Sequence, residues 1–446
     1  MRKNRLAVSL FKLIELKYTE NLISHYSNLS DLPGFVLLES SDKSNGRYDI
    51  LSAFPYDYLR VEPSSSDKIG IYTRLQQALK PQKTGLDLPF QGGAIGYFSY
   101  DLGAELAGIY TPCQAGLEAM PLVELGLYDW AIITDHHLKK VSLFAANTQP
   151  NTADLVGEVL TRWEHKRPFK SFRLKQNITP IISKKEYKQA FEVIHQELQR
   201  GRSYQVNYTQ PFKASYQGDP FAMYERVRAT NPVPFSAFLR SEFADILSFS
   251  PERFLLMDNR LLLTSPIKGT EKRSPNPKED NYLRDKLSAS SKNRAENVMI
   301  VDLLRNDLGK ISQTGTVHVR ALCAVESYEA VHHLVSHIEG LCLESVSPVE
   351  AFSACFPGGS ITGAPKLEAM RIIGEQEAYS RGVYCGCIGY FSNHGRFDTN
   401  IAIRTAVARE GDLYIAAGGG IVIDSTWEEE YLECFTKLAA IVNGLN

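Results

Sequence analysis

The sequence predicts an α+β protein in which large antiparallel sheets form a two-lobed sandwich with helices on the outer faces. Two observations carry this prediction. Strand-like stretches are frequent, and neighbouring ones are separated by turns as short as Asp258-Asn259-Arg260 and Asn393-His394-Gly395. That spacing is typical of hairpins, whereas consecutive parallel strands need a helix between them. A small number of clearly patterned helices lies between the groups of strands.

Length and composition fit a globular enzyme and exclude other classes. The 446 residues are 43% hydrophobic and 22% charged, which is ordinary for a globular enzyme of two or three domains or one two-lobed unit. The 49 basic and 51 acidic residues give a net charge of −2, so we expect no nucleic-acid partner. No apolar run approaches the roughly 20 residues that cross a bilayer, so we expect no membrane span.

The cysteines and the amino terminus favour the cytoplasm. Seven cysteines, an odd number scattered along the chain, are typical of a reduced protein. The basic residues 1–5 precede an apolar stretch broken by charges, and no small-residue cleavage site follows, so no signal peptide is expected. We interpret Cys385 and Cys387 as structural, because no second Cys or His pair lies at zinc spacing.

The predicted elements follow in chain order. The polar stretch from about Asn147 to Gln176 predicts a boundary between an N-terminal lobe, residues 1–150, and a second region, residues 180–446. Capping boxes at Ser183–Glu186 and Ser347–Glu350 each predict a helix start. Apolar periodicity predicts two more helices, Arg294–Leu308 and about Trp427–Leu445. The predicted strands of the second region are Ile246–Phe249, Phe254–Met257, Leu261–Thr264, Gly386–Phe391, Thr399–Val407 and Leu413–Ala417.

Lys268 is the most informative residue, because it lies between an apolar strand and a Gly-Thr turn. Two interpretations remain open from the residues alone. Most lysines are solvated surface charges. An amine held in a cleft instead has its pKa lowered from about 10.4 and becomes a nucleophile.

Two glycine-rich segments indicate close approach to a ligand. Residues 356–366 end where a helix can start, and free backbone N–H groups at such a point bind phosphates or carboxylates. The spacing does not match a Walker motif, and an ordinary glycine turn remains possible. Gly418, Gly419 and Gly420 follow a predicted strand, where a ligand could approach the backbone.

Three carboxylates are candidates for a metal site. Glu430 and Glu433 share a face of the last helix, and Glu296 lies near the start of another. Carboxylates without histidines at ligand spacing suit a hard cation such as Mg²⁺, although a solvated acidic face is the alternative. His332, His333 and His337 lack a zinc motif, and one of them could donate a hydrogen bond to a ligand.

The chain resembles the chorismate-utilising enzymes over nearly its whole length, which implies the chorismate-binding enzyme fold. Within that family, the sequence Pro-Ile-Lys-Gly-Thr at 266–270 resembles the enzymes that form 4-amino-4-deoxychorismate, whereas anthranilate synthases carry alanine in place of Lys268. The resemblance covers ten segments in order: residues 88–103, 204–210, 234–240, 247–254, 265–270, 294–307, 330–336, 356–366, 398–405 and 416–425.

The resemblance implies conversion of chorismate and ammonia to 4-amino-4-deoxychorismate, a precursor of 4-aminobenzoate in folate synthesis. The alternatives are anthranilate or isochorismate synthase activity on the same fold, or a non-catalytic sensor of aromatic metabolites. The sensor is disfavoured, since the lysine, the acid and the metal carboxylates are all present. No cysteine lies in a glutaminase context, so ammonia is expected from a glutamine amidotransferase partner.

The resemblance also implies residue roles. Lys268 would form a covalent intermediate with the substrate ring, and Glu252 would protonate the departing hydroxyl. Glu296 and Glu433 would bind Mg²⁺, with Glu430 holding a metal-bound water. The substrate pocket would be lined by Arg404, which pairs with a carboxylate, and by His333, Ser360, Thr362, Gly363, Gly419 and Gly420.

A tryptophan pocket is implied in the N-terminal lobe. Residues 37–40 resemble the segment where anthranilate synthases bind tryptophan as an inhibitor and some aminodeoxychorismate synthases hold it as a buried ligand. Ser40, Tyr48 and Tyr204 are the residues expected near it.

Overall fold

The computed structural model describes residues 11–43, 46–82, 84–165, 168, 171–329 and 331–445. The basic segment 1–5 and Ala330 of the segment 330–336 lie outside the described residues. The helices are α1 Ile23–Ser27, α2 Gly70–Ala78, α3 Tyr100–Leu106, α4 Thr152–Glu164, α5 Lys184–Gln199, α6 Pro220–Thr230, α7 Pro277–Ala289, α8 Ser291–Gly309, α9 Pro348–Cys355, α10 Lys366–Gln376 and α11 Trp427–Val442, with a 3₁₀ turn at Gly359–Ile361.

The strands are numbered in chain order. The first twelve are β1 Lys12–Leu16, β2 Val36–Glu39, β3 Tyr48–Ser52, β4 Asp57–Val61, β5 Gly93–Phe98, β6 Val123–Tyr128, β7 Trp130–Asp135, β8 Lys140–Ala145, β9 Phe172–Leu174, β10 Thr179–Pro180, β11 Gln205–Gly218 and β12 Phe235–Arg240. The others are β13 Asp245–Ser250, β14 Arg253–Asp258, β15 Leu261–Ser265, β16 Ile267–Lys272, β17 His318–Ser327, β18 Val331–Leu341, β19 Gly363–Ala364, β20 Cys387–Ser392, β21 Phe397–Asn400, β22 Thr405–Arg409 and β23 Asp412–Ile421.

Two large sheets organise these strands and confirm the predicted α+β class. The first has 13 strands, in the order β1-β8-β7-β3-β2-β12-β13-β22-β23-β11-β10, with β9 and β19 also paired to β11. The second has 10 strands, in the order β16-β18-β15-β14-β21-β20-β5-β6-β4, with β17 also paired to β18. The strand pairs are antiparallel, as the hairpin spacing predicts.

One continuous apolar core contains residues of both sheets. It includes Ile132 and Leu247 from the first sheet and Leu125 and Leu255 from the second, all at most 1% exposed. Phe352 of α9 joins this core by ring contacts, including one with Phe98 at 4.7 Å. The sheets therefore form the two layers of a sandwich, with helices packed against them.

The proposed boundary near residues 150–180 is a division in sequence, and each sheet contains strands from both sides of it. The polar stretch that suggested the boundary includes α4, which the sequence reading missed. Trp163 near its end is 1% exposed and stacks on His25, with ring centroids 4.7 Å apart. The polar composition thus reflects the exposed face of a helix.

The capping boxes at Ser183 and Ser347 are both present, and α5 and α9 begin where they predict. Helix α8 is also confirmed, whereas α11 ends at Val442, short of the predicted Leu445. Within the described part of the chain, no helix combines the length and apolarity that a bilayer crossing requires.

Two strand predictions are wrong, and both errors bear on the site. The predicted strand Thr399–Val407 is broken, because β21 belongs to the second sheet and β22 to the first. Arg404, just before β22, has a φ of 51°, a left-handed conformation that a regular strand does not allow. The strand predicted to end at Ala417 continues to Ile421, so the three glycines lie within β23.

Candidate active site

The candidate site lies where the chain passes between the two sheets. Glu252 lies on the crossing from β13 to β14, and Arg404 lies on the crossing from β21 to β22. The two crossings are hydrogen-bonded side by side: the Ser250 hydroxyl donates to the Ile401 carbonyl at 2.6 Å, and the Ile401 N–H donates to the Glu252 carbonyl at 3.0 Å. Strand pairing in both sheets therefore sets where the acid and the guanidinium lie.

Lys268 lies on β16, partly buried, among charged groups brought in from other elements. Burial is the main cause that lowers the pKa of Lys268 from its usual value of 10.5. Glu296 opposes that change, Lys437 reinforces it, and Glu252 and Glu433 oppose it. The charges of the proposed acid and of two proposed metal ligands thus act on this amine.

Glu252 is 5% exposed, and its carboxyl group is held by the chain around it. The Ser360 hydroxyl, the Lys268 amine and the Ile267 N–H lie near this carboxyl group, and each acts to lower its pKa. Burial dominates these effects and raises the pKa of Glu252 to about 7. A substantial fraction of this carboxyl group is therefore protonated near neutral pH, and it can act as a general acid.

Arg404 and His333 are the next two polar groups of the site, and the charge of Arg404 acts on His333. Burial lowers the pKa of Arg404, while Glu252 and Tyr384 act to raise it. His333 of β18 is 2% exposed and lies 2.8 Å, through Nδ1, from the Thr270 hydroxyl. Burial, with Arg404 as the next cause, lowers the pKa of His333 to about 3, so its ring is neutral at physiological pH.

The segment 356–366 forms a turn that closes the site. Ser360 lies near Glu252, whereas the buried Thr362 hydroxyl is used within the turn, donating to the carbonyls of Gly358 at 3.0 Å and Gly359 at 3.1 Å. Gly363 has a φ of 144°, and a Cβ there would lie 2.0 Å from the Gln205 carbonyl oxygen. Glycine at 363 is therefore required for pairing with β11, as well as for any approach of substrate.

The carboxylates of α11 lie against the glycines of β23. A Cβ on Gly419 would lie 2.8 Å from Glu430 Oε2 and 3.3 Å from Glu433 Oε1. Glu430 is 4% exposed; its Oε1 accepts from the Ser425 hydroxyl at 2.7 Å, while its Oε2 has no hydrogen-bond partner among the described residues. Burial, followed by the charge of Glu433, raises the pKa of Glu430 to about 7.

These carboxylates fit a hard cation in part. An orphaned buried oxygen beside a second carboxylate, with no side chain at Gly419, is suited to a cation that also keeps water ligands. The structure does not bring Glu296, Glu430 and Glu433 into one cluster, since no three ligating side chains of the described residues meet at one point. A cation here would therefore use one or two carboxylates and complete its shell with water.

Sequence reasoning missed two residues of this site. The Lys437 amine donates to Glu433 at 2.7 Å and to the Gly418 carbonyl at 2.7 Å; its position seven residues after Glu430 and four after Glu433 was the available signal. Gln205 is fully buried, and its amide has no partner among the described residues. A Cβ on Gly420 would lie 2.1 Å from Gln205 Nε2, and no sequence pattern indicates this contact.

A second cavity, of about 540 Å³, lies next to the segments that carry Glu252 and Lys268. Ser40 and Tyr48 line it, together with Phe235 and with Arg253 and Ile267, the chain neighbours of Glu252 and Lys268. Tyr204, the third predicted residue, is not among its lining residues. Its N–H donates to the Ala364 carbonyl at 2.7 Å at the start of β11, and the residue is 71% exposed.

Comparison with known proteins agrees with this geometry. The sequence model of the chorismate binding enzyme family matches residues 35–443. Aminodeoxychorismate synthase component 1 of Escherichia coli is 42% identical over 94% of this chain and 95% of its own length, and that of Salmonella typhimurium is 41% identical over 97% and 98%.

A solved structure extends the comparison to three dimensions. Anthranilate synthase component I from Streptococcus pneumoniae superposes with a TM-score of 0.80 and 30% identity, covering 89% of this chain and 92% of that chain. The two-sheet sandwich, the matched residues and these identities lead to one assignment: the chain belongs to the chorismate binding enzyme family.

Proposed function

We propose that this chain aminates chorismate at C4 and forms 4-amino-4-deoxychorismate, as the names of its aminodeoxychorismate synthase relatives suggest. The observation that carries the proposal is the Lys268 amine, with its pKa lowered, beside the Glu252 carboxyl, whose pKa is about 7. A nucleophile and a proton donor are what a displacement of hydroxide requires.

The proposed reaction has two displacements. The neutral Lys268 amine attacks C2, the ring double bonds shift, and the C4 hydroxyl leaves as water with the proton of Glu252. Ammonia then attacks C4, the double bonds shift back, and the C2–N bond to Lys268 breaks. A covalent intermediate divides one difficult step into two easier ones, and the C4 configuration is retained.

Charged groups around the site would hold the substrate carboxylates. The Arg404 guanidinium offers a bidentate fork, and the Lys437 ammonium lies beside the α11 carboxylates. One or two of the carboxylates of Glu296, Glu430 and Glu433 would hold Mg²⁺, with water completing its shell, and the bound ion would neutralise a chorismate carboxylate. Neutral His333 would contribute a hydrogen bond without adding charge.

Product analysis tests the function. The purified chain is incubated with chorismate, Mg²⁺ and ammonium chloride, and the products are separated by liquid chromatography with mass detection. We expect 4-amino-4-deoxychorismate. Anthranilate, which requires loss of pyruvate, or isochorismate, which requires water as nucleophile, would contradict the proposal.

We further propose a cytoplasmic amidotransferase partner that supplies ammonia and directs the product toward 4-aminobenzoate and folate. The relatives' designation as component 1 supports a second component. Glutamine should replace ammonium salts only after a native extract, or a partner captured from it by the tagged chain, is added. Glutamine-dependent amination by the purified chain alone would overturn this part of the proposal.

The metal proposal makes a prediction at Gly419. Gly419→Ala places a methyl group against Glu430 and Glu433, so we expect Mg²⁺ affinity to fall about 10–100-fold, measured by calorimetry and by the Mg²⁺ dependence of the rate. Gly157→Ala is the control, because a Cβ there meets no atom within 4 Å. Unchanged Mg²⁺ affinity in Gly419→Ala would place the cation elsewhere.

The second cavity leads to a prediction about tryptophan. Its aromatic and charged lining suits a zwitterionic aromatic amino acid, with the Arg47 guanidinium 4.6 Å from the Tyr48 ring centroid. We expect tryptophan to be released when extensively dialysed protein is denatured, detected by mass spectrometry. Ser40→Trp, which fills the cavity, should abolish that release; absence of tryptophan from the wild-type protein would rule out a tightly held ligand.

A further inference from the structure

The active-site turn is tied down at both ends by one lysine. Residues 356–365 leave α9 after Cys355 and return to α10 at Lys366. The Lys366 amine donates to the Cys355 carbonyl at 3.0 Å and to Asp307 Oδ2 of α8 at 2.5 Å. The Lys366 side chain therefore closes the base of the turn.

The middle of the turn is held by a different cation. Arg381 is 6% exposed, and its guanidinium donates to the Ile361 carbonyl at 2.9 Å and to the Asn207 carbonyl of β11 at 2.6 Å. Both oxygens of Glu377 accept from the same guanidinium, each at 2.8 Å. Its carbon lies 4.4 Å from the Tyr100 ring centroid, which covers one face.

This arrangement uses the geometry of arginine. The guanidinium makes four N–H···O contacts in three directions, to Glu377 at the end of α10, to Asn207 of β11 and to Ile361 of the turn. A lysine ammonium cannot span these three groups. Glu377 is also fixed, because its Oε1 accepts from the Thr209 N–H at 3.0 Å and hydroxyl at 2.9 Å. The Ile361 carbonyl is thus held to a rigid, buried support.

We propose that Arg381 is a positioning residue, which fixes Ile361 so that the adjacent Ser360 hydroxyl is aimed at the Glu252 carboxyl. Arg381 does not touch substrate; it acts through one peptide unit of the turn. The inference rests on the proposed function only in taking Glu252 as the acid. It therefore predicts effects on the acid step beyond the loss of stability that any broken buried pair causes.

The test is a double-mutant cycle between Arg381 and Ser360. Arg381→Met is combined with Glu377→Gln, because this pair leaves no unpaired buried charge and the Gln carbonyl can still accept from Thr209. We expect kcat to fall about 10–100-fold with a smaller change in KM for chorismate, since misplacement near 1 Å costs rates of this order. Adding Ser360→Ala to this background should cause no further loss.

The pH profile gives a readout that a purely structural role would not move. Ser360 acts to lower the pKa of Glu252, so both Ser360→Ala and the Arg381→Met/Glu377→Gln pair should move the alkaline limb of kcat/KM to higher pH. Arg381→Lys should not restore kcat. Arg240→Met removes a partly buried arginine, bonded to Asp219 and Asp245, and should lower stability without moving that limb.

The outcomes separate the inference from the proposed function. A wild-type chain that yields no aminated product contradicts the function, whereas the cycle compares variants on whatever chorismate-derived product forms. Multiplicative losses from Arg381 and Ser360, an unmoved alkaline limb, or full rescue by Arg381→Lys would each overturn the positioning role.

Discussion

Lys268→Met should lower aminodeoxychorismate formation by about 10³-fold or more while the fold and chorismate binding persist. Methionine keeps the length of the side chain and removes the amine, so the loss reports chemistry and not a cavity. The β16 strand and its pairing with β18 do not depend on this amine. Initial rates, circular dichroism and a chorismate binding titration measure the three quantities.

Two further variants sharpen this result. Lys272→Met removes an exposed lysine from the same strand and should leave the rate unchanged. Lys268→Arg keeps a cation but not a nucleophile, and should be as inactive as Lys268→Met. If Lys268→Arg retains most of the activity, the lysine acts by its charge alone, and the proposed covalent intermediate is wrong. Rapid quenching of the wild-type reaction should also reveal a substrate adduct on Lys268 by mass spectrometry.

Glu252→Gln should lower kcat about 10²–10⁴-fold, because the leaving hydroxide loses its proton donor. The pH dependence gives the sign. Lys268 must be neutral, which favours higher pH, and Glu252 must be protonated, which favours lower pH, so the profile should be bell-shaped, with the pKa of Glu252 at about 7 and that of Lys268 lowered by burial. Glu252→Gln should lose the descending limb of kcat/KM, and Glu410→Gln, an exposed control, should keep it.

Stability offers an independent check on Glu252. Its pKa in the folded chain is about 7, against a usual value of 4.5, so the native state binds the proton more tightly and stability falls as pH rises through this range. Glutamine carries no such penalty. The unfolding free energy of Glu252→Gln minus that of the wild type should therefore be about 1–3 kcal/mol larger at pH 8 than at pH 5. Equal pH dependence of the unfolding free energy in the two proteins would show that the pKa of Glu252 is not raised by folding.

Local signals in the sequence predicted local structure well. The boxes at Ser183 and Ser347 begin helices because a side chain and a backbone N–H three residues away satisfy each other, which needs no tertiary contact. The turn at Asn259 and Arg260 joins a hairpin, with φ values of 46° and 70° that match a tight two-strand connection.

Long-range arrangement was not available from the same signals. The apolar run through residues 399–407 suits a strand, and nothing in its periodicity shows that it leaves one sheet and enters the other at Arg404. The contact of Gln205 with Gly420 and that of Arg381 with Ile361 join residues far apart in sequence, so only the fold reveals them. Tyr204, which was expected near Ser40 and Tyr48, does not line their cavity, and no local sequence signal indicates where it lies.

The paired crossings at Glu252 and Arg404 tie activity to the whole molecule. Neither sheet holds this site alone, since Glu252 and Arg404 each lie on a segment that passes from one sheet to the other. The site forms only while both crossings keep their strand pairing, so turnover should be lost in any transition that unfolds either sheet. A loss of catalytic rate should therefore report unfolding of either sheet, even when the other sheet stays folded.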